Sequence, residues 1–330
     1  MDGKTKFYIG LDVHDKVTQY AVRTWQGDIA LEGQCSTTYR DVKQRIEPYS
    51  HSCMVGMEAS TCFYPLYHGF LQDNIPVKVA NVLRIRQLIV KTDKLDAQRL
   101  SDMLRLGSFP ESYIPSAEIQ TFRNLVSVRH SFLQEMNATQ SRIWAALRRE
   151  GFRIPQRSIF SKKGMEQFTE LINRGEIQLY LVHLYHHYKL VEQELQQATV
   201  ELINYAQTHF PKEWAKLQEI DGIGPLISSY ILSEAFPLSR FKGEKQLRRY
   251  AGVIPCIKES GGKFHGSTMP KTSSRALLRW ALVQAAHAAI RTKKSTLRQY
   301  YQQRKASKKN KSIMAVARAL SDLVYKKFAA

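Results

Sequence analysis

The sequence is poor in cysteine and in long apolar runs, and each shortage excludes a class of protein. Its four cysteines form neither a Cys-x-x-Cys pair nor a Cys/His spacing of the kind that binds zinc, which is typical of a reduced cytoplasmic protein. No run approaches the roughly 20 apolar residues of a membrane-spanning helix. The first residues lead directly into a strand-like segment, so we expect no signal peptide and no membrane partner.

Acidic residues are also scarce, and the scarcity is local. The 330 residues include 49 Lys/Arg and 29 Asp/Glu, for a net charge of +20. Residues 1–115 contain 14 basic and 13 acidic residues, residues 116–215 contain 12 and 10, and residues 216–330 contain 23 and 6. The last segment also has an apolar helical pattern, so it should fold. A folded domain this basic normally binds a polyanion, and we predict nucleic acid.

The N-terminal third alternates strand-like and helix-like segments. The predicted strands are Phe7–Val13, Thr18–Trp25, Ile29–Thr37, Cys53–Ala59 and Pro76–Ala80, and the predicted helices are Arg40–Tyr49, Phe63–Gln72 and one that begins near Asp93. The order of three strands, helix, strand, helix, strand and helix matches a ribonuclease-H-like α/β sheet.

Four acids lie at informative places in this order. Asp12 ends the first strand and Glu58 ends the fourth, while Asp93 and Asp96 are three residues apart and share one face of a helix. Taken singly, each is also explained as a turn acid, a strand-end acid or a solvated first helical turn. Together, four converging carboxylates repel one another unless cations neutralise them, and Mg²⁺ or Mn²⁺ suits such ligands. Two such ions can support phosphoryl transfer.

The middle third is mostly helical. One apolar seam repeats at alternating spacings of four and three residues, in the manner of a coiled coil: Leu184, Tyr188, Val191, Leu195, Ala198, Leu202 and Tyr205. The sequence leaves open whether this seam packs within the chain or joins two chains. The nearby His183 and His187 share a face but lack an acid at metal-ligand spacing, so we interpret them as solvated or packing residues.

The basic last third opens with Gly222-Ile223-Gly224 between two apolar helices, the pattern of a helix-hairpin-helix. Such glycines allow backbone amides to approach a phosphate, although a plain glycine turn is the alternative. The segment Cys256–Gly266, which contains Ser260, is predicted to be a loop. The side chains that we predict to bind nucleic acid are Lys242, Lys245, Arg248, Arg249, Lys258, Lys263, Lys271, Arg275 and Arg279.

Several blocks of the sequence occur together in one known family. They are Ile9-Gly10-Leu11-Asp12, Met57-Glu58-Ala59, Lys91-Thr92-Asp93-Lys94-Leu95-Asp96-Ala97, Gly222-Ile223-Gly224, and Ala251-Gly252-Val253-Ile254-Pro255 followed by Ser260-Gly261. On these blocks the chain resembles the DEDD-motif transposases of insertion sequences (the insertion-sequence one-ten family), relatives of the Piv DNA invertases. It departs from the family at Thr61 and Ser274, where glycine is common. Neither change removes a reactive group.

The resemblance implies three regions and a function. Residues 1–115 would be a RuvC-like catalytic domain with Asp12, Glu58, Asp93 and Asp96 as its metal site. Residues 116–215 would be a helical linker and dimerisation region, and residues 216–330 a basic transposase domain whose nucleophile, Ser260, joins covalently to DNA. Some members are guided by a bridge RNA. We therefore expect a nucleoid-associated recombinase that acts on donor and target DNA with Mg²⁺, as a homodimer that forms a tetramer on DNA.

Ser260 fits the nucleophilic role on chemical grounds. A serine hydroxyl must be activated, and the adjacent Gly261 and Gly262 allow a phosphate to come close. Either His265 or the metal site could take the proton. Without the resemblance, a Ser-Gly-Gly segment is normally just a flexible turn. Two other functions stay open from the sequence: a RuvC-like nuclease that uses metal-activated water, and a non-catalytic nucleic-acid-binding protein.

Overall fold

The chain divides after Ile114 into two units, Met1–Ile114 and Pro115–Ala330. The computed structural model describes residues 5–82, 85, 93–153, 155–260, 263–268, 270, 275–304 and 309–329. Over these residues, no helix is both long enough and apolar enough to cross a membrane.

The first unit is a five-stranded sheet with helices on both faces. Its elements are β1 (Phe7–Val13), β2 (Val17–Thr24), β3 (Ile29–Ser36), α1 (Tyr39–Ile46), a 3₁₀ turn (Glu47–Ser52), β4 (Cys53–Glu58), α2 (Phe63–Gln72), β5 (Val77–Ala80) and α3 (Asp93–Arg105). The strand order is β3-β2-β1-β4-β5, with β1 antiparallel to β2 and parallel to β4. The predicted order of strands and helices is confirmed.

Alternation along β1 separates the two faces of the sheet. Ile9, Leu11 and Val13 belong to the apolar core that also contains side chains of α1 and α2. Successive strand residues point to opposite faces, so Gly10 and Asp12 lie on the other face. That second face is the one that α3 covers, as the close approach of Ala97 to Gly10 shows.

The second unit is mostly helical. Its elements are α4 (Ala117–Arg149), α5 (Gln156–Ile159), α6 (Lys162–Asn173), α7 (Leu179–His209), α8 (Pro211–Gln218), α9 (Pro225–Ala235), a 3₁₀ turn (Leu238–Arg240), α10 (Glu244–Ala251), β6 (Cys256–Ser260), β7 (Lys263–Thr268), α11 (Ala276–Ala289), α12 (Thr296–Gln303) and α13 (Lys309–Ala329). One apolar core includes residues of α4 and α7 as well as residues of α9 to α13, so the middle and last thirds of the sequence share a core.

The two long helices form an antiparallel hairpin. The Tyr180 hydroxyl donates to Glu150 Oε1 at 2.6 Å at one end, and His209 Nδ1 lies 2.7 Å from Glu118 Oε1 at the other. The seam residues Tyr188, Val191, Leu195 and Leu202 are buried within the chain. The sequence left open whether this seam packs within one chain or joins two chains. Burial of these side chains within the chain is what we expect of a hairpin inside one chain.

The segment that contains Ser260 differs from its prediction. We expected a loop over Cys256–Gly266, but β6 and β7 pair as an antiparallel hairpin in which Ser260 lies opposite Lys263. The strands are connected through residues 261–262, which lie outside the described residues. A Gly-Gly pair between two strand-like runs is a hairpin signal, so the loop prediction was wrong for a reason that is visible in the sequence.

Candidate catalytic acids and basic surface

Asp12 and Glu58 lie side by side at one edge of the sheet. The parallel strands β1 and β4 pair Gly10 with Gly56 and Leu11 with Met57. Asp12 and Glu58 are the next residues on their strands, at the carboxyl ends. Asp12 is only 6% exposed and Glu58 is half-buried. A carboxylate this buried requires a polar partner or a cation.

Both acids face the helix that carries the other two. By strand alternation Asp12 shares the face of Gly10, and Glu58 shares the face of Gly56. A Cβ atom at Gly10 would lie 1.9 Å from the Ala97 carbonyl oxygen, so α3 packs against β1 more closely than any side chain allows. The two glycines therefore let α3 lie directly on the strands that end in the acids.

Asp96 lies on α3, four residues before the buried Leu100. Its carboxylate is half-buried and accepts a hydrogen bond from Arg99 Nη1 at 3.3 Å. Asp93 begins α3, but its side chain is outside the part that the structure describes. The fold thus puts Asp12 and Glu58 on one face of the sheet and Asp96 in the helix that covers this face.

The described acids are not drawn together into a coordination sphere. Among the side chains that the structure describes, no group of three or more His, Cys, Asp or Glu residues is spaced to hold a metal ion. The donors are nevertheless carboxylate oxygens, which are the ligands that Mg²⁺ and Mn²⁺ favour. Asp12 and Glu58 end neighbouring strands, and the described acids fix no coordination geometry.

Sequence reasoning missed His14. Its Nε2 atom lies 3.0 Å from Asp12 Oδ2, and its side chain is 54% exposed. His14 follows the last residue of β1 and is two residues from Asp12, so the signal was a polar residue close to a predicted catalytic acid. His14 thus adds a polar group to the exposed rim of the acid site.

Three of the predicted basic residues form an exposed surface on and beside α10. Lys242, Lys245 and Arg249 are all exposed. Their charges are open to solvent and to a phosphate backbone. The side chains of Lys258 and Lys263, and the whole of Lys271, lie outside the described residues.

Three other predicted nucleic-acid ligands bind groups of the protein itself. Arg248 Nη2 donates to Asp322 Oδ2 at 2.6 Å, Arg275 Nε donates to Glu234 Oε2 at 2.6 Å, and Arg279 Nη1 donates to the Pro270 carbonyl at 2.6 Å. A charge count along the sequence cannot find such partners, since Asp322 is 74 residues from Arg248.

The two glycines of the Gly-Ile-Gly turn have different surroundings. Gly222 has a φ of +89°, and a Cβ there would lie 2.3 Å from the Ala285 carbonyl oxygen. Its lack of a side chain is required by packing against α11. Gly224 precedes α9, and a Cβ there would meet no atom within 4 Å. Of the two, Gly224 is therefore the one that faces open space in which a phosphate could lie.

Ser260 is the last residue of β6. The hairpin follows Gly252, whose φ of +69° ends α10, and it precedes Arg275 at the start of α11. The side chains of Ser260 and His265 lie outside the described residues, so their predicted roles stay predictions.

Two comparisons with protein families match separate parts of the chain. A transposase family model that carries the DEDD motif matches residues 9–151, and a model described as "Transposase IS116/IS110/IS902 family" matches residues 215–302. The first match contains all four predicted acids, and the second contains Ser260. A transposase is therefore the class of protein that the fold and the two matches define.

Known relatives agree with this class. The chain is 22% identical over 320 residues to a Pseudomonas aeruginosa protein named "Probable family 20 transposase", a match that covers 94% of this chain and 93% of that protein. It is 21% identical over 268 residues to a Sinorhizobium fredii protein named "Putative transposase". This match covers 77% of this chain and 64% of that protein. The chain belongs to the IS116/IS110/IS902 family of transposases, and the predicted enzyme class, a DNA transposase, is confirmed.

Proposed function

We propose that the chain cuts and rejoins donor and target DNA through a covalent serine–DNA intermediate, with Ser260 as the nucleophile. The observation that supports it best is that Asp12 and Glu58 end neighbouring strands on the sheet face covered by α3, the helix that contains Asp93 and Asp96. Acids would be placed on one buried face at a helix–sheet contact only at a cost in repulsion and desolvation, unless they bind cations.

The metal site in this proposal consists of Asp12, Glu58, Asp93 and Asp96. Carboxylates suit Mg²⁺ or Mn²⁺, and a bound divalent ion would supply charge stabilisation to a phosphoryl group under attack. The protein's own contribution is to hold these acids through the close packing of α3 on β1 and β4. His14 beside Asp12 fixes the orientation of that carboxylate.

The reaction is a transesterification that conserves the number of phosphodiester bonds. The Ser260 hydroxyl oxygen forms a bond to a DNA phosphorus atom, the bond from that phosphorus to a deoxyribose oxygen breaks, and the released oxygen takes a proton. The serine proton leaves to a base. Because the ester bond is kept as a protein–DNA link, a DNA hydroxyl can reverse the step on another strand without an external energy source.

Nucleic-acid binding in this proposal belongs to the basic last third of the chain. Lys242, Lys245 and Arg249 are accessible cations, and phosphate contacts from such residues give affinity that falls steeply with salt. The family resemblance adds four further parts to the proposal. They are a ribonuclease-H-like first unit, a helix-hairpin-helix at Gly222–Gly224, a guide (bridge) RNA, and a homodimer that forms a tetramer on DNA. Sequencing of the RNA that co-purifies with the protein tests whether the protein binds a guide RNA.

The direct test is denaturing gel electrophoresis of end-labelled DNA incubated with the protein, Mg²⁺ and any co-purifying RNA. Wild type should give a slow protein–DNA band, and Ser260→Ala should bind DNA but give none. A band that persists in Ser260→Ala would assign the nucleophile to another residue. Cut DNA with free ends and no slow band in wild type would favour a metal-dependent nuclease instead, and metal-independent binding without cleavage would favour a non-catalytic binding protein.

A further inference from the structure

Both ends of the β6–β7 hairpin are fixed to helices by arginine side chains. At the end where the chain enters, Arg318 of α13 donates from Nε to the Val253 carbonyl at 3.2 Å. At the end where it leaves, Arg279 of α11 donates from Nη1 to the Pro270 carbonyl at 2.6 Å. Both arginines are half-buried. The acceptors are main-chain atoms, so these bonds fix the path of the backbone.

A third arginine fixes the return into α11. Arg275 Nε donates to Glu234 Oε2 at 2.6 Å, and the Arg275 amide donates to the Tyr250 carbonyl at 2.9 Å. The Glu234 side chain is 1% exposed, and its other oxygen, Oε1, has no hydrogen-bond partner among the described residues. Loss of Arg275 would leave a buried carboxylate without its cation, which is strongly unfavourable.

The Arg275–Glu234 contact is continuous with a buried polar network on α9. Arg123 of α4 donates from Nε to the Ser233 carbonyl at 2.9 Å, and the Tyr250 hydroxyl donates to the Glu234 carbonyl at 3.1 Å. Burial lowers the pKa of Arg123, which is bonded to carbonyls at the C-terminal end of α9. The segments on either side of the hairpin are therefore connected to the helices by hydrogen bonds from Arg and Tyr side chains.

We infer that Arg279 and Arg318 are positioning residues, which hold the hairpin that carries Ser260 in the orientation needed for attack on a phosphate. The inference rests on the proposed function of Ser260. The sequence assigned Arg279 to nucleic acid because it is basic, whereas its bond to the Pro270 carbonyl assigns it to the hairpin. In-line attack requires close alignment, and a displacement of about 1 Å costs on the order of a hundredfold in rate.

The test separates positioning from DNA binding. The rate of adduct formation is measured against DNA concentration for wild type, Arg279→Ala, Arg318→Ala and Arg249→Ala. Because Arg249 is an accessible cation on α10, its loss should raise the DNA concentration at half-maximal rate and leave the saturated rate close to wild type. Arg279→Ala and Arg318→Ala should show the opposite pattern, a saturated rate lower by about tenfold or more with a half-saturating concentration within about twofold of wild type.

Arg279→Gln provides the rescue variant. Glutamine keeps an N–H donor for the Pro270 carbonyl but has no charge, so it should restore part of the saturated rate that alanine loses. If Arg279 instead bound phosphate through its charge, glutamine and alanine would weaken DNA binding to the same extent. Thermal unfolding curves accompany each variant. A variant that is unfolded at the assay temperature and is not rescued by glutamine would overturn the inference in favour of a purely structural role.

The remaining outcomes are also distinct. If Arg279→Ala raises the half-saturating concentration and lowers the salt dependence, Arg279 binds DNA and the inference is wrong. If wild type forms the adduct and the alanine variants form it equally fast, the inference fails while the proposed function stands. If wild type forms no adduct, the proposed function fails, and the inference fails with it.

Discussion

The first 115 residues of this chain are nearly neutral in net charge, whereas the last 115 residues are strongly basic. The first region contains 14 basic and 13 acidic residues, and its notable charges are acids at the edge of a sheet. The last contains 23 basic and 6 acidic residues on a helical scaffold. The proposed metal-binding acids and the proposed phosphate-binding cations therefore lie in different regions of the sequence.

The largest effect should come from the acids of the first region. Asp12→Asn or Glu58→Gln should lower recombination by about a hundredfold or more, because removal of one ligand takes away several kcal/mol of transition-state stabilisation. Folding should persist, and the melting temperature in metal-free buffer should not fall, since a repelling charge is removed. An in vitro recombination assay with melting curves measures both.

Asp102→Asn is the matched control for these variants. Asp102 is also on α3, but it binds Arg105 at 2.8 Å, further along the helix. It should recombine at close to the wild-type rate. Full activity in any two of the variants at Asp12, Glu58, Asp93 and Asp96 would contradict the metal site.

The accessible cations of the last region should control affinity. Replacement of Lys242, Lys245 and Arg249 by glutamine should weaken DNA binding and reduce the slope of log affinity against log salt by about 0.9 for each phosphate that the variant no longer neutralises. Fluorescence anisotropy at several salt concentrations measures this slope. Arg40→Gln, which removes a cation on α1, should leave the slope unchanged. If Arg40→Gln reduced the slope as much as the replacement of Lys242, Lys245 and Arg249, the two regions would not differ in nucleic-acid binding.

The close packing of α3 on β1 predicts a smaller effect, on stability. Gly10→Ala should destabilise the protein by about 1–3 kcal/mol, because the new methyl group overlaps the Ala97 carbonyl and α3 must move. The same shift moves Asp96, so activity should fall as well. Gly224→Ala is the control, as its Cβ would meet nothing within 4 Å. Chemical denaturation of both variants provides the comparison, and equal stabilities would contradict the packing argument.

The smallest expected effect is a pH dependence in the first region. Hydrogen bonds from Lys43 and Tyr39 hold the pKa of Asp73 below its usual range. A lowered native pKa means that the stabilisation is present above the ordinary carboxyl pKa and is lost as the pH falls through the lowered value. Asp73→Asn should therefore be less stable than wild type at neutral pH, and this gap should close under strongly acidic conditions. A gap that is independent of pH would contradict this account.

Much of the first region followed from its sequence. Strand alternation and turn residues predicted all five strands, and the acids at the ends of β1 and β4 could be placed next to each other because the first and fourth strands are neighbours in a ribonuclease-H-like sheet. The close packing that positions Asp96 was not predicted. The packing depends on which residues lie against Gly10 and Gly56, and the sequence pattern does not identify those residues.

The last region was harder to predict for the same reason. Its basic composition indicated a nucleic-acid partner but could not distinguish Arg249 from the neighbouring Arg248, which binds Asp322. The Gly261-Gly262 signal for the β6–β7 hairpin was present in the sequence but was interpreted as a loop. Residues that act through tertiary partners therefore cannot be found from composition and periodicity alone.

The central claim is that Ser260 becomes linked to DNA, and peptide mapping of the adduct tests it most directly. Cleavage by trypsin after Lys258 and Lys263 releases the peptide Glu259-Ser260-Gly261-Gly262-Lys263, in which Ser260 is the only hydroxyl side chain. After nuclease digestion of the DNA, mass spectrometry should find a nucleotide remnant on this peptide in wild type and none in Ser260→Ala. A remnant on any other peptide, or cleaved DNA with no linked peptide, would contradict the account.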